Sequence, residues 1–291
     1  TVLHVAGIAH VDVSAHKNGG QSQGNGNQSH KNTGNITING AGAHKNIDSA
    51  DESLAAKYYE VNTKLAVETA RKAKNEGVGQ FIFMSSLIVY GDSAPYGGQK
   101  MIDENTLPCP SNFYGDSKWQ ADRGVRAMKS EDFHVAVLRP PMVYGRGSKG
   151  NYPVLAGLAR RLPVFPDVSN QRSMLYIDNL SQFLCLLALS GEGGVYFPQN
   201  AEYTATGEMV LMISTAAGKR IWVTGLFNPV AALASHIPGR VSGLADKAFG
   251  SMVISQSLSK YAGMEYRVKD LESSVRETES SDLVNRQGHT D

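Results

Sequence analysis

Gln80-Phe81-Ile82-Phe83-Met84-Ser85-Ser86 decides how the rest of the chain is read. Its apolar run, 81–84, sits between a polar start and two hydroxyls. That suits a short strand buried on both faces, as in the middle of a parallel sheet. A second such run, His134-Val135-Ala136-Val137-Leu138, is closed by Arg139-Pro140-Pro141. Between them lies Asn112-Phe113-Tyr114-Gly115-Asp116-Ser117-Lys118, and 115–129 has the spacing of a helix. Strand, helix, strand in this order predicts right-handed crossovers, a parallel sheet and a site at the strands' carboxyl ends.

Upstream, Val2-Leu3-His4-Val5-Ala6-Gly7 is a third apolar run, stopped by small residues, and suits another parallel strand. Leu54, Tyr58, Val61, Leu65 and Ala66 recur at helical spacing, with Asp51 or Ser53 as cap, and the pattern runs to about Lys74. Downstream, 151–162 and 178–190 read as helices and 195–198 as a strand. The C-terminal third is helical and loop-rich, and a polar tail is expected from about Glu277. His4 reads as a packed strand residue.

The segment 14–49 has a different character. It is rich in Asn, Gly, Gln, Ser, His and Lys, and His-Lys-Asn recurs at 16–18, 30–32 and 44–46, a period of 14 residues. Such a segment cannot bury enough apolar surface to order itself. A metal tract is the sharper alternative, but one His per repeat without Cys or carboxylate partners is a poor ligand set. Asn35-Ile36-Thr37-Ile38-Asn39-Gly40-Ala41-Gly42 imitates a strand followed by Gly-x-Gly. It lacks the third glycine and an apolar helix start. The expected organisation is therefore 1–13 with 51–150 as the sheet core, 14–50 as an insert, 151–276 as a smaller second region, and 277–291 as the tail.

Composition narrows the function classes. The chain has 291 residues, enough for a full core, with 28 basic and 27 acidic residues. That balance gives no overall footprint for nucleic acid or an anionic membrane. The longest apolar stretch, 221–237, is interrupted by Asn228, Pro229, Ser235 and His236, so no membrane span is expected. Cys109 and Cys185 supply neither a disulfide framework nor metal spacing, which makes a reducing cytoplasm the default setting.

Tyr114 and Lys118, four apart on one helix, share a face. An ammonium beside a phenol favours phenolate and lowers its pKa from near 10, so the pair can move a proton at neutral pH. A serine on a neighbouring strand end can hydrogen-bond the same substrate oxygen. Together these parts suit alcohol–ketone interconversion with hydride passing to or from a nicotinamide. The spacing alone is weak; the ordered strand ends around it strengthen it.

With these residues in place, the chain resembles the extended short-chain dehydrogenase/reductases, in their NAD-dependent sugar-nucleotide epimerase/dehydratase branch. The likeness covers 1–13 and about 51–275. Leu3-His4-Val5-Ala6-Gly7 is similar to the family's fourth strand, which implies that Val5, Ala6 and Gly7 line the dinucleotide. Tyr59-Glu60-Val61-Asn62-Thr63 resembles the following helix, in which Asn62 would support the cofactor side; a plain surface Asn is the other reading. Met84-Ser85-Ser86-Leu87-Ile88-Val89-Tyr90-Gly91 resembles the serine-bearing strand end, with Ser86 as the catalytic hydroxyl and Ser85 beside the cofactor. Tyr114 and Lys118 fall on the family's acid/base and its tuner. Leu138-Arg139-Pro140-Pro141-Met142-Val143-Tyr144-Gly145 resembles the next strand end, which puts Pro141 by the nicotinamide and Met142 by the substrate. Arg172 lies in Arg172-Ser173-Met174-Leu175-Tyr176-Ile177-Asp178-Asn179-Leu180 and would grip the nucleotide diphosphate, unless it is a rim charge. Lys149-Gly150-Asn151-Tyr152 resembles a turn of members acting on N-acetylhexosamine nucleotides and makes Asn151 a substrate residue.

The resemblance implies an α/β Rossmann-type sheet, with its first strands and glycine-rich loop missing, and a C-terminal substrate domain. It implies NAD or NADP as cofactor and a UDP-hexose or UDP-N-acetylhexosamine as substrate, acted on at C4 by epimerisation or 4-keto reduction. It leaves room for a homodimer. No metal is expected. The chain opens at Thr1 in a strand, without the Gly-x-x-Gly-x-x-Gly loop that holds the pyrophosphate. A truncated reading frame with impaired dinucleotide binding is therefore expected, and a silent remnant is the alternative to an enzyme.

Overall fold

The computed structural model describes residues 1–5, 49–237, 246, 248–261 and 263–287. The repeat, the Gly40-Ala41-Gly42 turn, Ala6 and Gly7 lie outside them. The order of elements is β1 (Val2–His4), α1 (Ser49–Tyr58), a π-helical turn (Tyr59–Lys64), α2 (Leu65–Asn75), β2 (Gln80–Met84), a 3-10 turn (Leu87–Tyr90), β3 (Met101–Ile102), α3 (Phe113–Arg126), β4 (His134–Leu138) and β5 (Met142–Tyr144). There follow α4 (Asn151–Arg161), β6 (Val164–Pro166), β7 (Met174–Tyr176), α5 (Ile177–Ser190), β8 (Gly194–Tyr196), α6 (Thr206–Ala216), β9 (Trp222–Thr224), α7 (Asn228–His236), β10 (Val253–Ile254) and α8 (Leu271–Gln287).

The main sheet has the order β1-β2-β4-β8 and every pair is parallel, with Leu3 opposite Ile82, Ile82 opposite Ala136 and Val137 opposite Val195. Among the described residues β1 pairs on one side only. Both faces are covered, as apolar runs without alternation require. One face packs Phe81, Phe83, Val135 and Val137 against Ala66 and Ala70 of α2 and Ala121 and Val125 of α3. The other packs Ile82, Ala136 and Leu138 against Leu180, Phe183 and Leu187 of α5 and Tyr266. A separate core joins β5, α4, α6 and α8 through Tyr144, Tyr152, Val210, Ile213, Leu271 and Val275.

Two expectations need correction. The helix foreseen from Leu54 to Lys74 is interrupted: it widens into the π-turn 59–64, which brings Asn62 to complete burial. The polar tail foreseen from Glu277 is instead the second half of α8, where Thr278 and Glu279 are buried. Glu279 accepts bonds from Tyr152 and Arg160, so a carboxylate that looks solvated in sequence is paired inside the second core.

Candidate active site

The predicted catalytic residues meet at the carboxyl ends of β2 and β4. Asn112 caps α3 by accepting from the Gly115 N–H at 2.9 Å, which starts the helix just before Tyr114. Gly115 then lies so close to the turn after Ser86 that a Cβ would sit 2.9 Å from the Ile88 carbonyl oxygen. This lets the first turn of α3 rest on the end of β2. The Tyr114 phenol faces the Ser86 side chain, which partly offsets the rise of its pKa, and the Ser86 oxygen accepts from the Ile88 N–H at 3.3 Å.

Lys118 is placed otherwise than its spacing suggested. Its Nζ donates to the Met84 carbonyl at 3.0 Å and lies over the Phe83 ring, 5.2 Å from the centroid. Burial lowers its pKa to about 8. The Tyr114 phenol is raised, not lowered: burial pushes it up, the Ser86 side chain pulls it partly back, and Tyr58 beside it adds a little. The expectation that Lys118 depresses the phenol by contact therefore does not hold in this geometry. The strand-end carbonyl, an acceptor held by the sheet, takes the ammonium instead.

Behind this pair the α3 helix is pinned by polar groups with partners. Asn62, from the π-turn, donates to Ser117 Oγ at 3.0 Å, and Thr63 donates to the Ser117 carbonyl at 2.7 Å. A widened turn is a frequent device at functional sites; here it lets a buried amide reach the next helix. Tyr59 donates to Asp116 at 2.6 Å. One turn beyond Lys118, the buried Asp122 carboxylate takes Arg139 Nε at 2.8 Å and Nη2 at 3.1 Å, while Arg139 Nη1 donates to the Tyr90 hydroxyl at 2.6 Å. Arg139 thus ties together α3, the end of β4 and the 3-10 turn that follows Ser86. Neither Gly115 nor the Asp122–Arg139 bond was foreseen. The Arg139-Pro140-Pro141 strand end was the signal available for the latter.

The remaining foreseen residues are distributed as follows. Ser85 is buried, with its backbone N–H on the Leu138 carbonyl at 2.8 Å. Its hydroxyl and His4 Nε2 are buried atoms without a hydrogen-bond partner among the described residues. His4 stacks on Phe81, and its pKa is lowered by burial and then by the charge of Lys118. Val5 is exposed at the end of β1, and Pro141 is buried. Met142 is on β5 and leans on the second core, and Asn151 is the exposed first residue of α4. Arg172 Nε donates to the Gly250 carbonyl at 3.0 Å, and burial lowers its guanidinium from the ordinary value. Among the described residues, no three His, Cys, Asp or Glu side chains are grouped to hold a metal.

A doubly covered parallel sheet with Ser, Tyr and Lys at its carboxyl ends defines a class, and comparison with known proteins gives the family. The NAD dependent epimerase/dehydratase family matches residues 30–196, and the chain belongs to it. That match begins inside the segment set aside as an insert. The chain is 30% identical over 223 residues to a UDP-glucose 4-epimerase of Vibrio cholerae, covering 74% of this chain and 66% of that one. It is 30% identical over 139 residues to the N-acetyl-alpha-D-glucosaminyl-diphospho-ditrans,octacis-undecaprenol 4-epimerase of Escherichia coli O157:H7, covering 46% of this chain and 40% of that one. It thus spans less than two thirds of either relative's length. Among solved structures, the fold resembles the UDP-glucuronic acid 4-epimerase of Bacillus cereus in complex with NAD, with TM-score 0.61, 17% identity and coverage of 82% and 71%. It also resembles RMD of Pseudomonas aeruginosa complexed with NADPH, with TM-score 0.60, 18% identity and coverage of 84% and 80%.

Proposed function

We propose that this protein interconverts a hydroxyl and a ketone at C4 of a nucleotide sugar, by epimerisation or by 4-keto reduction, with NAD or NADP as cofactor. The observation that carries the reading is the gathering of Ser86, Tyr114 and buried Lys118 at the end of β2, with Lys118 on the Met84 carbonyl one helical turn from Tyr114. The relatives named above support the substrate class.

The residues fit the nicotinamide and ribose half of a dinucleotide. The unpartnered Ser85 hydroxyl is a buried donor at the strand end, Lys118 offers an ammonium of lowered pKa, and Pro141 closes the neighbouring strand. When bound, the dinucleotide accepts or delivers the hydride. Tyr114 supplies or removes the proton at the sugar oxygen, and Ser86 holds that oxygen by its hydroxyl. The resting phenol carries its proton, the state from which a keto reduction starts. An epimerisation starts with abstraction and needs Lys118 released from Met84 towards the phenol, where its charge favours phenolate. Arg172, desolvated in the second region, is assigned to the diphosphate, whose two oxygens its planar fork matches. Asn62 acts through Ser117, by fixing α3.

The test gives the protein UDP-glucose with NAD, and separately a UDP-4-keto sugar with NADPH, and follows the products. Tyr114→Phe is expected to cut turnover by about 10²–10⁴-fold while leaving binding of the sugar nucleotide by calorimetry close to that of the parent. Turnover near the parent's would remove Tyr114 from the chemistry. Calorimetric titration with NAD and NADPH distinguishes the two cofactors.

A further inference from the structure

The β9–α7 segment breaks the rule by which a surface helix turns its apolar side inward. Leu226, Val230, Leu233 and Ile237 follow one another at spacings of four, three and four: Val230 and Leu233 lie on α7, Leu226 in the 3-10 turn before it and Ile237 at its C-terminal end. All four are exposed, at 83%, 63%, 67% and 45%, and the α7 residue turned inward is Ala231 at 6%. Before them, Trp222 is 77% exposed, at the edge of a shallow depression it shares with Pro163, Leu211, Lys219 and Arg220. Exposed apolar side chains gathered on one short segment mark an interaction surface.

Charge says what would cover it. The whole chain is balanced, with 28 basic and 27 acidic residues, but 209–245 contains no Asp or Glu and includes Lys219, Arg220 and Arg240. The overall count conceals this local excess. Three acids border the segment: Glu208, whose carboxylate accepts from Thr204 and the Ala205 N–H, Asp167 and Asp246. The Asp167 backbone carbonyl, not its carboxylate, takes the Asn228 side chain, and Asp246 Oδ1 accepts from the Tyr96 N–H. A second copy packed here across a two-fold axis would set Lys219 and Arg220 near their own images, because such an interface opposes a patch with itself. An anionic surface has no such repulsion.

We propose that Leu226, Val230, Leu233 and Ile237, with Trp222 beside Lys219 and Arg220, seat this protein on the surface of an anionic lipid bilayer. The helix lies in the interface and does not cross it. α7 has 9 residues, about 14 Å at 1.5 Å per residue against about 30 Å of hydrocarbon. Among the described residues no helix is long and apolar enough to span. Apolar side chains on one side, a tryptophan at the rim and cations beside it are the parts of an interfacial anchor.

The experiment is sedimentation of the full chain with vesicles of phosphatidylcholine alone and of phosphatidylcholine with phosphatidylglycerol. Binding is expected to the second kind, weakened by salt, with a blue shift of Trp222 fluorescence that Trp222→Phe abolishes and Trp119→Phe does not. Leu226→Glu/Leu233→Glu is expected to remove it, and Lys219→Glu/Arg220→Glu to weaken it roughly tenfold. Both pairs are exposed, and an unchanged melting curve keeps the comparison valid; the fluorescence shift reads the same contact in unmutated apolar residues. No binding to either vesicle overturns the proposal. Equal binding by the charge variant overturns it too, as does a concentration-dependent dimer that Leu226→Glu/Leu233→Glu dissolves.

Discussion

Helix α3 buries Ser117, Lys118 and Asp122, while α7 exposes Leu233 and Val230 and buries Ala231. The two break the ordinary amphipathic pattern in opposite senses. On α3 each buried polar side chain has a named partner: Ser117 takes Asn62, Lys118 reaches Met84, and Asp122 holds Arg139. On α7 the large side chains have water. Departures from local rules concentrate where function needs them. The comparison teaches that a misplaced polar residue marks chemistry inside the molecule, and a misplaced apolar one marks contact outside it.

The sharpest way to break this contrast is Asp122→Ala. It leaves the Arg139 guanidinium buried and uncompensated, and removing one partner of such a pair costs about 3–5 kcal/mol. Urea unfolding measures it. A loss below about 1 kcal/mol would mean that α3 is not held by this bond.

Gly115→Ala comes next. The new methyl would face the Ile88 carbonyl oxygen at 2.9 Å, a backbone atom that cannot swing away. A loss of about 1–3 kcal/mol in stability is expected from overpacking, together with reduced turnover as Tyr114 is pushed off Ser86. Unchanged turnover would separate the close approach from the chemistry.

Lys118→Met tests burial itself. The folded pKa of Lys118 lies near 8 against an ordinary 10.5. Between these values the unfolded chain holds a proton that the folded chain has released, so this group makes stability rise with pH across the window. Below about pH 8 the cost of burying the ammonium is present in full, and above about 10.5 it is gone. The variant is therefore expected to melt higher than the parent near neutral pH, with the difference closing towards the alkaline end. A difference that does not change with pH would show that folding leaves the titration of Lys118 unshifted.

The smallest effect belongs to α7. Leu233→Gln is expected to change unfolding stability by no more than about 0.5 kcal/mol, because the side chain is already mostly in water. A loss of about 2 kcal/mol or more would mean that the leucine packs, and the contrast with α3 would fail.

Sequence reading reached the parallel sheet through its unbroken apolar runs; it singled out Tyr114 and Lys118 as candidates through a helical spacing of four, and Ser86 only through the family resemblance, since the strand end offered Ser85 and Ser86 alike. It went wrong where a partner is remote or backbone. No pattern in 59–64 announces the widened turn that hides Asn62, since the change is one of hydrogen-bond register, not of residue type. Lys118 stood four residues from Tyr114 on paper, but a carbonyl on β2 competes for it. Glu279 belongs to a run of Glu, Ser and Thr that resembles a solvated tail. Its partners Tyr152 and Arg160 lie on α4, far back along the chain, where periodicity cannot see them.

That last bond bears on how the chain is made. The core between β2, β4, α2 and α3 draws its residues from Ala66 through Val137. The second core begins at Tyr144 and is completed by Leu271 and Val275 of α8. During synthesis the first can condense as soon as β4 has left the ribosome, while Tyr144, Tyr152, Val210 and Ile213 wait for α8 to emerge. Domains form as their contacts become available, and incomplete apolar surface attracts other chains in the interval. Among the described elements α8 comes last to that core, so its arrival ends the interval in which Tyr144, Tyr152, Val210 and Ile213 lack cover, and Glu279 ties it to α4.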